Sequence, residues 1–142
     1  LGEETKPTAV SSFTTQLQPH LPPVDTINSI WITKSGISGT YSISFGTTFS
    51  GGEYAVACEK GTVTIIYNKV TVTDGEQALE KASEKEFEDE DGVRDELAAW
   101  AQSLVDGVPN PRQSPEEALV DLEILEKMLR SGEVQGKVET LV

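Results

Sequence analysis

Residue 73 divides this sequence into two chemically different halves, and that division limits the folds open to it. Residues 1–73 carry five acids and four bases, whereas residues 74–142 carry 19 acids and seven bases. The residue types change at the same point, from Thr, Ser, Ile and Val to Glu, Leu and Ala. β-branched residues fit a pleated, half-buried surface, while unbranched Leu, Glu and Ala lose little freedom in a helix. The expectation is therefore a sheet followed by helices, an α+β chain. At 142 residues it has the length of one ordinary domain with its own core.

In the first half the side chains alternate with a period of two. Tyr41, Ile43 and Phe45 oppose Thr40, Ser42 and Ser44; Val63, Ile65 and Tyr67 oppose Thr62, Thr64 and Ile66; Val70 and Val72 oppose Thr71 and Thr73. Three more β-rich segments lie near 8–16, 26–34 and 53–60, the last with Tyr54, Val56 and Cys58 on one side. Pro19, Pro22-Pro23, Ser35-Gly36, Gly51-Gly52, Gly61 and Asn68-Lys69 mark turns between them. Links this short join antiparallel neighbours, because parallel pairs need long crossovers. The pattern predicts an open, mostly antiparallel sheet of about six strands within residues 8–73.

The second half predicts two helices packed on one face of that sheet, about 92–106 and 115–131. Val93, Leu97, Trp100, Ala101 and Leu104 recur at helical spacing until Gly107, Pro109 and Pro111. Ser114, Pro115 and Glu117 have the spacing of a capping box with proline in the first turn. Ala118, Leu122, Leu125 and Leu129 form the expected apolar stripe, with Leu119 beside it. Acids open this helix and Lys127 and Arg130 close it, opposing the helix dipole. The acidic stretch Glu84 to Asp91 reads as a solvated loop or a lead-in to the first helix.

The face of the sheet turned away from the helices is the unusual feature. Between residues 8 and 73 the charges are Asp25, Lys34, Glu53, Glu59, Lys60 and Lys69, all at strand ends or turns. An uncharged strand interior is poorly protected against association. Trp31, Ser42, Ser44, Thr62, Thr64 and Thr71 are the residues expected to form an interface, with Ile66 a further large member. Such a face is expected to be covered, either by another domain or by a second copy in a two-fold arrangement.

Other chemistry is thin. A net charge of -13 excludes a general grip on nucleic acid or on an anionic membrane, since both need surplus cations. No apolar run approaches the roughly 20 residues that cross a bilayer. Cys58 is the single cysteine, which excludes an intrachain disulfide and suits a reducing, cytoplasmic setting. It reads as a small buried hydrophobe. His20 sits in a proline-rich loop with only Asp25 near enough in sequence to orient it, and reads as an exposed loop residue. The acids of 84–91 lack the spacing of a calcium loop, the glycines do not form a dinucleotide fingerprint, and Arg112 reads as a loop anchor. No catalytic, cofactor-binding or metal-binding residue is expected within the chain. The sole methionine is Met128, so the sequence reads as a piece of a longer protein.

The run from Trp100-Ala101 through Asn110-Pro111-Arg112-Gln113-Ser114-Pro115-Glu116-Glu117-Ala118-Leu119 to Leu129-Arg130-Ser131-Gly132 resembles the end of the glucose–fructose oxidoreductase and inositol dehydrogenase (Gfo/Idh/MocA) family. Leu21-Pro22-Pro23-Val24-Asp25 and the strands are similar to the second part of that family's C-terminal domain, in its fungal dehydrogenase-like branch. The resemblance covers essentially the whole chain and about the last two-fifths of a typical member. It implies an NAD(P)-dependent oxidoreductase of sugars or polyols, whose N-terminal Rossmann domain holds NAD or NADP. It also implies an open sheet that walls the substrate pocket and joins protomers into a homo-oligomer. The family's glycine-rich cofactor loop and Asp-x-x-x-His pair have no match here: Gln16 stands four residues before His20, and Glu4-Thr5-Lys6-Pro7 only partly echoes its Glu-Lys-Pro. No catalytic residue carries over. The expected role is that of a substrate-pocket and oligomerisation domain, inactive in isolation; the alternative is a stand-alone module binding protein or carbohydrate through the uncharged face.

Overall fold

A computed structural model describes residues 5–75, 82–87 and 92–141. The chain is α+β, with antiparallel strands followed by two C-terminal helices. Its strands are β1 (Pro7–Thr15), β2 (Thr26–Thr33), β3 (Ser38–Ser44), β4 (Glu53–Cys58), β5 (Gly61–Ile66), β6 (Lys69–Asp74), β7 (Ser83–Glu86) and β8 (Glu139–Thr140), and its helices are α1 (Gly92–Asp106) and α2 (Pro115–Glu133). The six expected strands are β1 to β6. The strands form two four-stranded sets, in the orders β3-β2-β1-β8 and β4-β5-β6-β7. They belong to two compact units, one comprising the chain up to Thr48 and from Ser103 onward, the other Phe49–Gln102.

In the first unit α2 packs across β1. The register sets Val10 opposite Trp31, Ser12 opposite Ser29 and Thr14 opposite Ile27, and continues Ser29 to Tyr41 and Ile27 to Ile43. Residues paired in this way share a face. Val10, Ile27 and Met128 are buried at its centre, flanked by Val24, Trp31, Tyr41, Ile43, Ile124, Leu129 and Leu141. The Trp31 and Tyr41 rings stack with centroids 6.5 Å apart. Gly39, opposite Trp31, leaves room for the indole, which a Cβ there would strike.

Buried polar groups on this side are paired, as desolvation demands. The Ser12 and Ser29 hydroxyls meet at 2.6 Å. Ser131, fully buried at the end of α2, accepts from the Ser12 backbone N–H at 2.8 Å and donates to the Lys137 carbonyl at 2.6 Å. Its hydroxyl thus ties the helix end to the edge of β1. Gln135 and Gly136 then take left-handed φ values of 55° and 86°, turning the chain back into β8 beside β1.

α2 starts where its cap predicts, with Ser114 Oγ accepting from the Glu117 N–H at 3.2 Å. Its packing differs from the expected stripe. Ile124, Met128 and Ser131 turn to the sheet, while Leu122 and Leu125 are exposed, and Leu129 is shared between the two sides. The helix has two apolar sides, and the sheet selected the one with a methionine and a serine. Met adapts to irregular gaps, and Ser131 satisfies the strand edge.

The second unit is a meander. Tyr67 and Asn68 close a two-residue hairpin between Ile66 and Lys69, with Tyr67 at φ 53°, so Tyr67 leaves the strand in which alternation placed it. The acidic segment is also corrected in part. Ser83–Glu86 is strand β7, paired to β6, with Lys69 Nζ 2.7 Å from Glu84 Oε2. Phe87 and Asn68 exchange backbone and side-chain hydrogen bonds that close the sheet's end. Cross-strand charge pairing explains why so acidic a segment extends along the sheet. Residues 88–91 lie outside the described residues.

Candidate functional site

The expected interface residues fall on three different faces. In the first unit, the face opposite α2 carries Ala9, Ser11 and Phe13 from β1, Asn28, Ile30 and Ile32 from β2, and Thr40, Ser42 and Ser44 from β3. These strands hold no charged residue. Ser42 Oγ donates to Asn28 Oδ1 at 2.7 Å, and the Thr26 and Ser44 hydroxyls meet at 2.7 Å. These bonds satisfy some of the face's polar groups within the sheet itself, which lowers the cost of removing water from them. Phe13 and Ile30 are each 60% exposed here and Ile32 44%.

Ser42 and Ser44 lie on that face, but Trp31 does not. Trp31 is half-buried on the α2 side, stacked on Tyr41. Strand β2, Thr-Ile-Asn-Ser-Ile-Trp-Ile-Thr, has apolar residues at both parities, so alternation alone misassigned its faces. Phe13, Ile30 and Ile32, which sequence reasoning missed, are the large apolar members of the face. The readable signal was the pairing of β2 with β3, where Tyr41 draws Ser29 and Trp31 inward.

In the second unit, Thr62, Thr64 and Thr71 do share a face. Thr62 pairs with Ala57 and Thr73, and Thr64 with Ala55 and Thr71. Ile66, 45% exposed, sits at its end between Glu53 and Lys69. β7 adds Glu84 and Glu86 along one margin. The opposite face carries Tyr54, Val56, Val63, Ile65, Val70 and Val72, with Tyr54 73% exposed. Cys58 belongs to that apolar face and is exposed, not buried as expected.

The remaining candidates resolve into structural roles. Asp25 is buried, and its Oδ2 accepts the Leu17 and Gln18 N–H groups at 2.9 and 2.7 Å, while Oδ1 accepts from Thr26 Oγ1 at 2.9 Å. Burial acts to raise its pKa, but these hydrogen bonds together with the charge of His20 outweigh it and hold the carboxyl below its ordinary value. Gly46 approaches the same carboxylate too closely for any side chain. Asp25 therefore fastens the loop between β1 and β2 and is not a poised acid. His20 is exposed in that loop. Arg112 lies in a short 3₁₀ turn whose backbone is held by Asn110 Oδ1, its own side chain exposed. Among the described residues no group of three or more His, Cys, Asp and Glu is placed to hold a metal ion, and no helix is long and apolar enough to cross a membrane.

Comparison with known proteins gives this geometry a context. The chain is 36% identical to a dehydrogenase, FPY6, of Fusarium mangiferae over 98% of its length, and spans 40% of that protein. Among solved structures, an oxidoreductase from Thermotoga maritima superposes with a TM-score of 0.76 at 25% identity, over 95% of this chain and 38% of its own. The aldose–aldose oxidoreductase of Caulobacter crescentus, solved with glycerol, superposes at 0.78 with 18% identity, over 96% of this chain and 42% of its own. No family model matches the sequence. The chain thus spans about two-fifths of the length of each of these proteins.

Proposed function

The chain has a Gfo/Idh/MocA-like oxidoreductase fold, and from that premise we propose that it is the C-terminal domain of an NAD(P)-dependent oxidoreductase acting on a sugar or polyol. In this reading residues 1–142 supply walls of the substrate pocket and join protomers into a homo-oligomer. A Rossmann domain preceding them in the cytoplasmic enzyme holds NAD or NADP and the catalytic residues. The observation that carries it is the 36% identity to a fungal dehydrogenase across almost the whole chain, which spans only 40% of that relative. The Caulobacter protein of the same fold is an aldose–aldose oxidoreductase solved with glycerol, a polyol, and this supports the substrate class.

The assembly surface in this proposal is the uncharged outer face around Phe13, Ile30, Ile32, Ser42 and Ser44. Thr62, Thr64 and Thr71 are proposed as a second contact. Calorimetric titration of the chain with NADH and NADPH tests the division of labour. No binding is expected up to about millimolar cofactor; affinity near micromolar overturns the assignment of the cofactor site to another domain. A ligand-dependent rise in melting temperature of a strictly monomeric chain favours the alternative, a stand-alone protein- or carbohydrate-binding module.

A further inference from the structure

α2 has an apolar side that the sheet does not use, and its spacing and flanking charges describe what fits it. Ala118, Leu122, Leu125 and Leu129 follow one another at intervals of four, three and four. Leu122 is 62% exposed and Leu125 41%. At about 100° per residue this row lies roughly a third of a turn from the side formed by Ile124, Met128 and Ser131. Leu122, Leu125 and Leu129 line a shallow groove along the helix with Glu126, Arg130 and Glu133.

Spacing of four, three and four is the seam of two helices packed side by side. The positions that border such a seam hold Asp121 and the buried Met128 on one side, and Leu119, Glu126 and Glu133 on the other, so every charged border position is acidic. α2 as a whole has six acids against two bases, and one base, Arg130, is engaged by Glu126 within the helix at 2.7 Å. A second copy of α2 would set acid against acid along the seam, which disfavours self-pairing. A helix with leucines at seam spacing and lysines or arginines beside them would bury the leucines and set cations beside Asp121 and Glu133, while Glu126 keeps Arg130. We propose that the outer side of α2 is a docking site for one such basic amphipathic helix, supplied from outside residues 1–142.

The test is calorimetric titration of the chain with two synthetic helical peptides. Both carry leucine at the seam positions, one with lysine beside the seam and the other with glutamate. The lysine peptide is expected to bind at least about tenfold more tightly than the glutamate peptide, and less tightly as salt is raised. Leu122→Ser and Leu125→Ser, at exposed positions, are expected to abolish that binding while leaving the melting temperature of the free chain unchanged. Absence of binding, equal binding of the two peptides, or undiminished binding to the serine variants overturns the proposal. So does concentration-dependent self-association that Leu122→Ser abolishes, which identifies a second copy as the occupant. Micromolar binding of NAD(P)H by the chain, which would overturn the proposed division of labour, leaves this result unaffected, so the two fail separately.

Discussion

The two sheets obey the same alternation but differ in what covers them. The β3-β2-β1-β8 sheet lies under α2, and every buried hydrophobic residue among those described belongs to it or to that helix: Val10, Ile27 and Met128. The β4-β5-β6-β7 sheet has equally regular pairing and no buried residue among those described. Its apolar row of Tyr54, Val56, Ile65 and Val72 is exposed by 37% or more at each position. Period-two patterning therefore decides which residues share a face, while burial also requires another element to lie against that face. The first unit contains its own cover; among the described residues, the second has the pairing without one.

Truncating side chains breaks or sharpens this contrast most strongly. Met128→Ala is expected to cost about 2–5 kcal/mol, because it removes a buried side chain and leaves a cavity between α2 and β1. Val56→Ala, in the second sheet at 60% exposure, is expected to change stability by about 0.5 kcal/mol or less. Denaturant unfolding measures both. Equal costs would show that the second sheet is as well packed as the first, and the contrast would fail.

The next effect concerns polar groups, which the second sheet does not bury among its described residues. Ser131→Ala is expected to destabilise by about 1–3 kcal/mol, since the Ser12 N–H and the Lys137 carbonyl would both be left without their buried partner. Ser42→Ala removes an exposed hydroxyl bond to Asn28 and is expected to cost well under about 1 kcal/mol. Comparable losses for the two serines, read in the same unfolding experiment, would contradict the assignment of Ser131 as the tie between α2 and β1.

Particular residues show how much of this was legible in the sequence. Strands β1 to β6 were legible because β-branched runs punctuated by Gly, Pro and Asn fix their existence, while ends such as that of β5 at Ile66 depend on the turn that follows. The α2 start was legible because Ser114 and Pro115 encode a cap within four residues. The side of α2 that packs was not, because Leu122 and Leu125 are more apolar than Met128 and Ser131, and only the sheet beneath decides between them. Trp31 was misassigned for a related reason: β2 is apolar on both faces, and its orientation is set by Tyr41 and Ile43 on another strand. Strand β7 was hidden by its acids, since Glu84 is balanced by Lys69 from a distant position. Of the outer face of the first sheet, Ser42 and Ser44 were legible through the alternation of β3; Phe13, Ile30 and Ile32 needed the register.

Acid pH probes the loop that closes the first sheet. Asp25 titrates below its ordinary value of 3.8 in the folded chain, so the unfolded chain binds the proton more readily. Its stabilising contribution is thus complete above the ordinary carboxylate range and is lost as pH falls from about 4 through the depressed folded value. Asp25→Ala is expected to melt below wild type at pH 7, with the gap narrowing as the pH is lowered. A gap that stays constant down to about pH 2 would mean that the carboxylate's charge does not hold the loop.

The smallest effect on folding is expected on the outer face of the first sheet, where the largest effect on assembly is proposed. Ile30 is 60% exposed and centred between Ser11 and Thr40, in strands β1 to β3 that hold no charged residue. Ile30→Lys is expected to alter stability by about 0.5 kcal/mol or less, because the side chain contributes little to the core. In a two-fold assembly through this face the same substitution places a charge against an apolar partner surface and opposes association. Light scattering over a concentration series reads the difference: the parent chain associates and Ile30→Lys remains monomeric at the same concentrations. A Thr64→Lys variant makes the matching test in the second sheet. If it dissociates the assembly and Ile30→Lys does not, the threonine face is the interface, and the exposed apolar cluster on the first sheet has another use.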